Sequence, residues 1–162
     1  MTEDHLLTEL PFGLPGRIFR SPMPFSSLYD PHGNLLEAYE NASVKLVLVL
    51  VESEEIRHCA RRDLLESYRQ QGIGVFHAPI TDLMAPEAQV MEAALEEILR
   101  QSQVGMNVAV HCHAGIGRTG MVMACLAKRV KGMDADEAID WVKRFIPGAI
   151  ETSAQKEFVK KF

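Results

Sequence analysis

The stretch HCHAGIGRTG, residues 111 to 120, constrains the fold more than any other part of the chain. It directly follows the apolar run NVAV and precedes the apolar run MVMACLA. The pattern predicts a buried strand, a glycine-rich turn and a buried helix in that order. Such a turn gathers backbone N–H groups at the positive end of a helix dipole, which is a favourable place for an anion.

Two nucleotide-binding motifs share parts of this pattern, and neither fits. The three glycines of the turn spell GxGxxG, but a dinucleotide fold needs a further strand about 20 residues later that ends in an acid. The chain instead continues into another amphipathic helix that begins near Asp134. An ATP-binding P-loop is excluded because Cys112 stands in place of its first glycine and Arg118 in place of its lysine.

The remaining residues of the turn suit covalent chemistry on a phosphate group. Cys112 ends the strand and Arg118 begins the helix. The planar guanidinium of Arg118 can meet two phosphate oxygens at once. The same positive field favours the thiolate of Cys112, which is the nucleophilic form. The backbone amides expected to surround the phosphate belong to His113, Ala114, Gly115, Ile116, Gly117 and Arg118.

Two neighbouring side chains are expected to support this chemistry. The Thr119 hydroxyl can donate a hydrogen bond to the sulfur and ease its departure when a covalent intermediate breaks down. His111, at the strand end, can hydrogen-bond the region around the cysteine. A metal site at His111, Cys112 and His113 is not expected, because adjacent strand residues point to opposite sides and no further ligand cluster follows. The sequence therefore predicts neither a metal nor a cofactor.

The motif resembles the signature HCxxGxxR(S/T) of the cysteine-dependent protein tyrosine phosphatases, particularly their small dual-specificity branch. The order of elements over residues 17–162 is similar to that compact fold. The resemblance implies hydrolysis of phosphate monoesters through a phosphocysteine intermediate, without a metal.

The resemblance also implies a general acid on a separate loop. Asp82, in APITDLMAP, would protonate the leaving oxygen and then, as a carboxylate, activate water. The alternative is a turn-forming aspartate that caps a helix near Pro86. The segment PGAIETSAQ is similar to one with which some members position the hydrolytic water. Gln155 is the first candidate for positioning this water, and Glu151 is the second. The alternative is that Gln155 is an ordinary helical side chain that faces solvent.

The rest of the chain alternates predicted strands with predicted helices. Strands are expected over residues 17–24, 45–51, 74–80 and 107–111. Helices are expected over residues 35–42, 53–71, 87–103, 118–131, 134–145 and 152–162. This order predicts an α/β fold with a central, mostly parallel sheet flanked by helices. The 162 residues are expected to form a single phosphatase domain, residues 1–162.

Charge and composition limit the class of protein further. A formal net charge of −5 argues against a general nucleic-acid binder. No apolar run is long enough to cross a bilayer, and the acidic N-terminus lacks the features of a signal peptide. Three cysteines cannot all pair within one chain, which favours free thiols. We therefore expect a cytoplasmic monomer whose partner is a phosphorylated protein or a small phosphate monoester.

Two positions inside the motif bear on the substrate. Relatives that act on phosphoinositides often carry lysines there, whereas this chain has His113 and Ile116. The sequence therefore favours phosphotyrosine, with phosphoserine and phosphothreonine as further substrates. Phosphoinositide or inositol phosphate hydrolysis is one alternative, and a phosphate-binding module without turnover is another.

Overall fold

A computed structural model describes residues 6–162, which form five strands and seven helices. Residues 1–5, part of the acidic N-terminus considered above, lie outside the described residues. The strands are β1 (Thr8–Leu10), β2 (Ile18–Ser21), β3 (Val44–Val49), β4 (Gly74–His77) and β5 (Asn107–His111). They form one sheet in the order β1-β2-β5-β3-β4, in which only the β1–β2 pair is antiparallel. The predicted α/β class with a mostly parallel sheet is confirmed.

Helices cover both faces of the sheet. They are α1 (Asn34–Asn41), α2 (Ser53–Ala60), α3 (Leu64–Gln70), α4 (Ala88–Gln103), α5 (Gly117–Lys131), α6 (Ala135–Lys143) and α7 (Ser153–Lys161). Leu46 and Leu48 of β3 pack into the core formed with α4 to α7, whereas Val47 and Val49 pack into the core formed with α1 to α3. Successive strand residues point to opposite faces, so a strand covered on both sides must be apolar throughout. Within residues 6–162, no helix combines the length and apolarity needed to cross a membrane.

One local prediction was wrong, and one element was missed. The helix expected over residues 53–71 is two helices, because Arg61 adopts a left-handed conformation with φ of 54° and ends α2. The Asp63 carboxylate then accepts the Glu66 amide at 3.0 Å and starts α3. An aspartate with this N-cap geometry competes with continuation of the preceding helix. The short edge strand β1 was not predicted from the sequence.

The fold brings the predicted site residues to one edge of the sheet. β5 lies between β2 and β3, and all three run in the same direction. Their carboxyl ends therefore meet where β5 turns into α5. The first eleven residues of α5, Gly117 to Ala127, are all buried. Gly120 permits this packing, because a Cβ atom there would lie 2.9 Å from the Cβ of Ala149.

Candidate active site

The loop between β5 and α5, which we call the cysteine loop (residues 112–118), curls around the sulfur of Cys112. The amide of Gly115 donates a hydrogen bond to Cys112 Sγ at 3.2 Å. Gly115 has a φ of 75°, and a Cβ atom there would lie 2.3 Å from the carbonyl oxygen of Ser21. Only glycine satisfies both constraints. The end of β2 thus holds the loop in a conformation that aims an N–H group at the sulfur.

Other N–H groups of the cysteine loop are available to a ligand. Within residues 6–162, the amides of His113, Ala114 and Ile116 donate to no backbone or side-chain acceptor. Ile116 is the N-cap residue of α5, and no side chain caps the helix there. Uncapped amides at a helix N-terminus are donors that an oxyanion satisfies, and the helix dipole adds to the attraction.

Arg118 is buried and held in one orientation. Its Nη1 and Nη2 donate to the two carboxylate oxygens of Glu55 at 2.9 and 2.8 Å, and Nη1 also donates to the carbonyl of Ile80 at 3.0 Å. Nε is buried and has no hydrogen-bond partner within the described part of the chain. Glu55 therefore occupies one edge of the guanidinium. The edge formed by Nε and Nη2 offers two parallel N–H groups, which match two oxygens of a phosphate.

Glu55 is a site residue that the sequence interpretation missed. It was assigned only to the start of a helix, yet its half-buried carboxylate braces Arg118. Partial burial alone raises the pKa of Glu55, but the hydrogen bonds and positive charge of Arg118 bring that pKa below its ordinary value. A buried arginine needs an acidic partner, but nothing in the sequence says which of many carboxylates supplies it.

Asp82 lies beside the cysteine loop, on the segment that follows β4. Its Oδ1 is 3.3 Å from Arg118 Nη2, and the side chain is 63% exposed. Its only hydrogen bond within the described residues comes from the amide of Leu83, at 3.0 Å. The alternative role as a helix cap is excluded, because Glu87 is the N-cap residue of α4. The predicted general acid is thus within reach of a ligand bound to Arg118.

The C-terminal helix holds this acid loop (residues 81–86) in place. Thr152 Oγ1 donates to the carbonyl of Leu83 at 2.9 Å, and Gln155 Nε2 donates to the carbonyl of Met84 at 3.5 Å. Leu83 has a φ of 66°, a strained conformation for a leucine. The two hydrogen bonds therefore compensate for local strain and fix the loop that carries Asp82.

Gln155 and Glu151 both reach the cysteine loop. A Cβ atom on Gly117 would lie 2.6 Å from Glu151 Oε1 and 3.3 Å from Gln155 Nε2. Gln155 is 1% exposed, and its Oε1 accepts the amide of Glu151 at 3.0 Å. The alternative of a solvent-facing glutamine is therefore wrong. Which of the two side chains positions water stays a prediction.

A loop that precedes α1, the rim loop (residues 25–30), contacts the other side of the cysteine loop. Ser26 Oγ lies 3.0 Å from His113 Nε2, and the ring of Tyr29 meets the His113 ring edge-on with centroids 5.1 Å apart. The buried Asp30 carboxylate fixes the rim loop by accepting the amide of Phe25. Tyr29 was not identified from the sequence, because its proximity to His113 arises only on folding.

Exposed apolar side chains flank the site on both sides. Leu28 and Tyr29 of the rim loop are 72% and 39% exposed, and Leu83 and Met84 of the acid loop are 50% and 51% exposed. Exposed apolar groups that cluster around a polar site mark a contact surface. The rim of this site therefore suits an apolar or aromatic group more than a highly charged one.

Comparison with known proteins agrees with this geometry. The family model described as "Polymorphic toxin system, DSP-PTPase phosphatase" matches residues 28–131. The chain belongs to this family. The chain is also 32% identical to a solved structure of Tk-PTP in its active form, with a TM-score of 0.78 and coverage of 90% of both chains. The predicted family resemblance is thereby confirmed.

Two further proteins are similar to this chain, the first in fold and the second in sequence. Kinase associated phosphatase, solved with serine in place of its catalytic-site cysteine, shares the fold with a TM-score of 0.89 and 21% identity, covering 96% of this chain and 92% of the other. Mouse protein tyrosine phosphatase domain-containing protein 1 is 29% identical in an alignment of 155 positions that covers 86% of this chain. The match covers only 19% of the mouse protein.

His111 anchors the cysteine loop from within the core of the domain. Its Nδ1 lies 2.9 Å from the Cys112 carbonyl and its Nε2 lies 2.7 Å from the Tyr68 hydroxyl. A carbonyl only accepts, so Nδ1 carries the proton and, in the neutral ring, Nε2 accepts from Tyr68. Complete burial is the main reason that the pKa of His111 is lowered to about 4. The positive charges of Arg118 and of nearby histidines lower this pKa further, whereas the hydrogen bond to the Cys112 carbonyl raises it.

This burial predicts a specific pH dependence of stability. The folded state keeps His111 neutral down to about pH 4, whereas the unfolded chain protonates it near its ordinary pKa of 6.5. The contribution of His111 to the free energy of unfolding is therefore complete above pH 6.5 and is lost as the pH falls towards 4. The total loss is about 3 kcal/mol. Urea denaturation should show a steeper loss between these values in the wild type than in His111→Gln. A His111 ring that titrates near pH 6.5 by NMR would contradict the assignment.

The remaining predicted side chains also have definite positions. Thr119 is fully buried, and its Oγ1 has no partner within residues 6–162, so its donation to the sulfur stays a prediction. Burial raises the pKa of Cys125 to about 12, which makes that thiol unreactive at neutral pH. No three His, Cys, Asp or Glu side chains of the described residues are grouped closely enough to hold a metal ion.

Proposed function

We propose that this domain hydrolyses phosphate monoesters, with phosphotyrosine as its preferred substrate, through a phosphocysteine intermediate. One set of contacts supports this most: the Gly115 amide donates to the Cys112 sulfur, Arg118 Nε has no partner within residues 6–162, and Asp82 Oδ1 lies 3.3 Å from Arg118 Nη2. A nucleophile, donors for the transferring group and an acid are the components that phosphoryl transfer to a thiolate needs.

In the first step, the Cys112 thiolate attacks phosphorus while the loop amides and Arg118 bind the equatorial oxygens. The bond from phosphorus to the ester oxygen breaks, and Asp82 donates its proton to that oxygen as the alcohol or phenol leaves. Arg118 needs no reorganisation, because Glu55 and Ile80 already fix its guanidinium.

In the second step, water attacks phosphorus and the Asp82 carboxylate accepts its proton. The sulfur–phosphorus bond breaks, inorganic phosphate leaves and the thiolate is restored. Thr119, buried on the first turn of α5, donates to the departing sulfur. Gln155 or Glu151, both adjacent to Gly117, orients the attacking water.

The preference for phosphotyrosine follows from the rim. Leu28, Tyr29, Leu83 and Met84 expose apolar surface on both sides of the site, which matches a phenyl ring. The cysteine loop contains no lysine that would bind the further phosphates of an inositol ring. The short side chains of phosphoserine and phosphothreonine are proposed as slower substrates.

Replacing Asp82 by asparagine tests the general acid. Turnover of a phosphotyrosine peptide is expected to fall by about 100-fold, because an amide cannot donate the proton to the leaving oxygen. The pH profile should change as well. The wild type should show a bell-shaped dependence of kcat on pH, and the variant should lose the basic limb, since that limb reports loss of the acid proton. If the pH profile of the variant kept both limbs, the general acid would be a residue other than Asp82.

The proposed activity is tested most simply with p-nitrophenyl phosphate in the presence of a metal chelator. Turnover should be unaffected by the chelator. A panel of phosphotyrosine, phosphoserine and phosphothreonine peptides, inositol phosphates and phosphoinositides should then give the highest kcat/KM with phosphotyrosine. Higher kcat/KM on inositol phosphates or phosphoinositides would favour the alternative substrate class, and binding without turnover would favour a phosphate-binding module.

We also propose a cytoplasmic location, and a single catalytic domain across residues 1–162, because all five strands of the described residues form one sheet. Cys59, Cys112 and Cys125 are free thiols in the structure. A nucleophilic thiol stays active only where disulfide formation is prevented, which favours a reducing compartment. We further propose that the domain acts as a monomer, because all the proposed catalytic groups come from one chain. Light scattering on the purified chain measures the oligomeric state.

A further inference from the structure

A groove next to the rim loop concentrates positive charge. Its volume is about 560 Å³, and it is lined by Ser53, Ile56, Arg57, Arg61, Arg62, Asp63 and Leu65. All three arginines are exposed. The whole chain carries a formal net charge of −5, so this arginine groove differs in sign from the molecule as a whole.

The groove carries more positive than negative charge, because its lining contains three arginines and one aspartate. None of the three forms a salt bridge within residues 6–162. Asp63, the acid that lines the groove, uses its carboxylate to accept the amide of Glu66 at the start of α3. Arg57 lies in the last turn of α2, and Arg61 is the left-handed C-cap residue that ends the helix. Both positive charges are therefore presented at the same end of α2, where an anionic partner is attracted.

Direct contacts join the arginine groove to the catalytic site. The Arg62 guanidinium lies over the Phe25 ring, 3.6 Å from its centroid. Phe25 begins the rim loop, whose Ser26 and Tyr29 contact His113 of the cysteine loop. The rim loop therefore contacts both the arginine groove and the cysteine loop. A peptide that leaves the cysteine loop across the rim loop would reach the arginines.

We propose that the arginine groove binds an acidic segment of the protein substrate, on one side of the phosphorylated residue. This inference rests on the proposed function. Guanidinium groups pair with carboxylates through two parallel hydrogen bonds, so aspartate and glutamate side chains are suitable ligands. The apolar side chains of Ile56 and Leu65 in the lining suit a peptide better than a polyphosphate. A compact ligand seated in the cysteine loop would not extend past the rim loop.

The test compares two double variants that remove the same charge. Arg57→Gln with Arg61→Gln alters the groove, and Lys160→Gln with Lys161→Gln, at the far end of α7, is the control. The substrates are p-nitrophenyl phosphate and two phosphotyrosine peptides, one flanked by glutamates and one by glutamines. In the arginine variant, kcat/KM for the glutamate peptide should fall about tenfold through KM. The glutamine peptide, p-nitrophenyl phosphate and the lysine control should be unaffected.

A direct binding measurement separates this inference from the proposed function. Fluorescence anisotropy of a labelled, unphosphorylated glutamate peptide should show salt-sensitive binding to the wild type that the arginine variant weakens. This binding can be measured even if the protein hydrolyses none of the three substrates. An absence of hydrolysis would refute only the proposed activity. The proposal would be overturned if kcat/KM of the arginine variant fell equally for both phosphopeptides, if it fell equally in the lysine control, or if it did not fall. Tighter binding of inositol hexakisphosphate than of peptide at these arginines would also overturn it.

Discussion

Replacing Cys112 by serine is expected to lower kcat for p-nitrophenyl phosphate by at least about 10⁴-fold. A serine hydroxyl is not ionised at neutral pH, and the amides that stabilise a thiolate do not make it a comparable nucleophile. The amides of the cysteine loop and Arg118 remain in the variant, so phosphate binding should persist. Steady-state kinetics measures the loss, and calorimetric titration with inorganic phosphate measures the retained binding.

Cys59→Ser is the matched control for this substitution. Cys59 lies on α2, and partial burial raises the pKa of its thiol. The same change of sulfur to oxygen there should leave kcat within about twofold of the wild type. Comparable rates for Cys112→Ser and the wild type would remove the covalent mechanism from the account.

The second large effect is expected from Arg118→Lys. Lysine keeps the positive charge but loses the two parallel N–H groups and the fixed hydrogen bonds to Glu55 and Ile80. Loss of preorganised donors to a transition state costs about 10² to 10³-fold in kcat. We expect kcat/KM for p-nitrophenyl phosphate to fall by about 10³-fold, with normal folding by circular dichroism.

A surface arginine on the same helix supplies the control. Arg129 forms two hydrogen bonds to the Glu92 carboxylate, at 2.7 Å each, far from the cysteine loop. Arg129→Lys makes the same chemical change without touching the site and should leave kcat/KM unaltered. If Arg118→Lys were as active as Arg129→Lys, the guanidinium would not bind the transferring phosphate.

The parts of the site that lie close together in sequence were predictable. Cys112, Gly115 and Arg118 occupy one turn whose conformation depends on local properties: glycine at a positive φ, a strand before and a helix after. Their types and spacing are therefore enough to indicate an anion site. The buried apolar runs of β3 and β5 fix the core of the sheet in the same way.

The parts supplied by distant segments were not predictable. Glu55 meets Arg118 only because β3 lies beside β5, so that α2 begins next to the cysteine loop. The contact between Tyr29 and His113 depends in the same way on the rim loop. The chain contains 22 aspartates and glutamates, and nothing local distinguishes the one that braces Arg118.

Local competition explains the error in the predicted helix. Residues 53–71 have an apolar pattern compatible with one helix, but Asp63 forms an N-cap that begins a second one. The resulting break exposes Arg61 and Arg62 at the junction and creates the arginine groove. The feature that the sequence pattern missed is therefore also the basis of the proposed docking site.

The most direct test of the central claim is to find the phosphoryl group on the enzyme. Wild-type protein mixed with p-nitrophenyl phosphate is quenched with denaturant at mildly alkaline pH within the first turnover, digested, and examined by mass spectrometry. The account predicts one added phosphoryl group on the peptide that contains Cys112, and none in Cys112→Ser treated identically. A phosphoryl group on a histidine instead, or rapid turnover with no covalent adduct at any quench time, would contradict it.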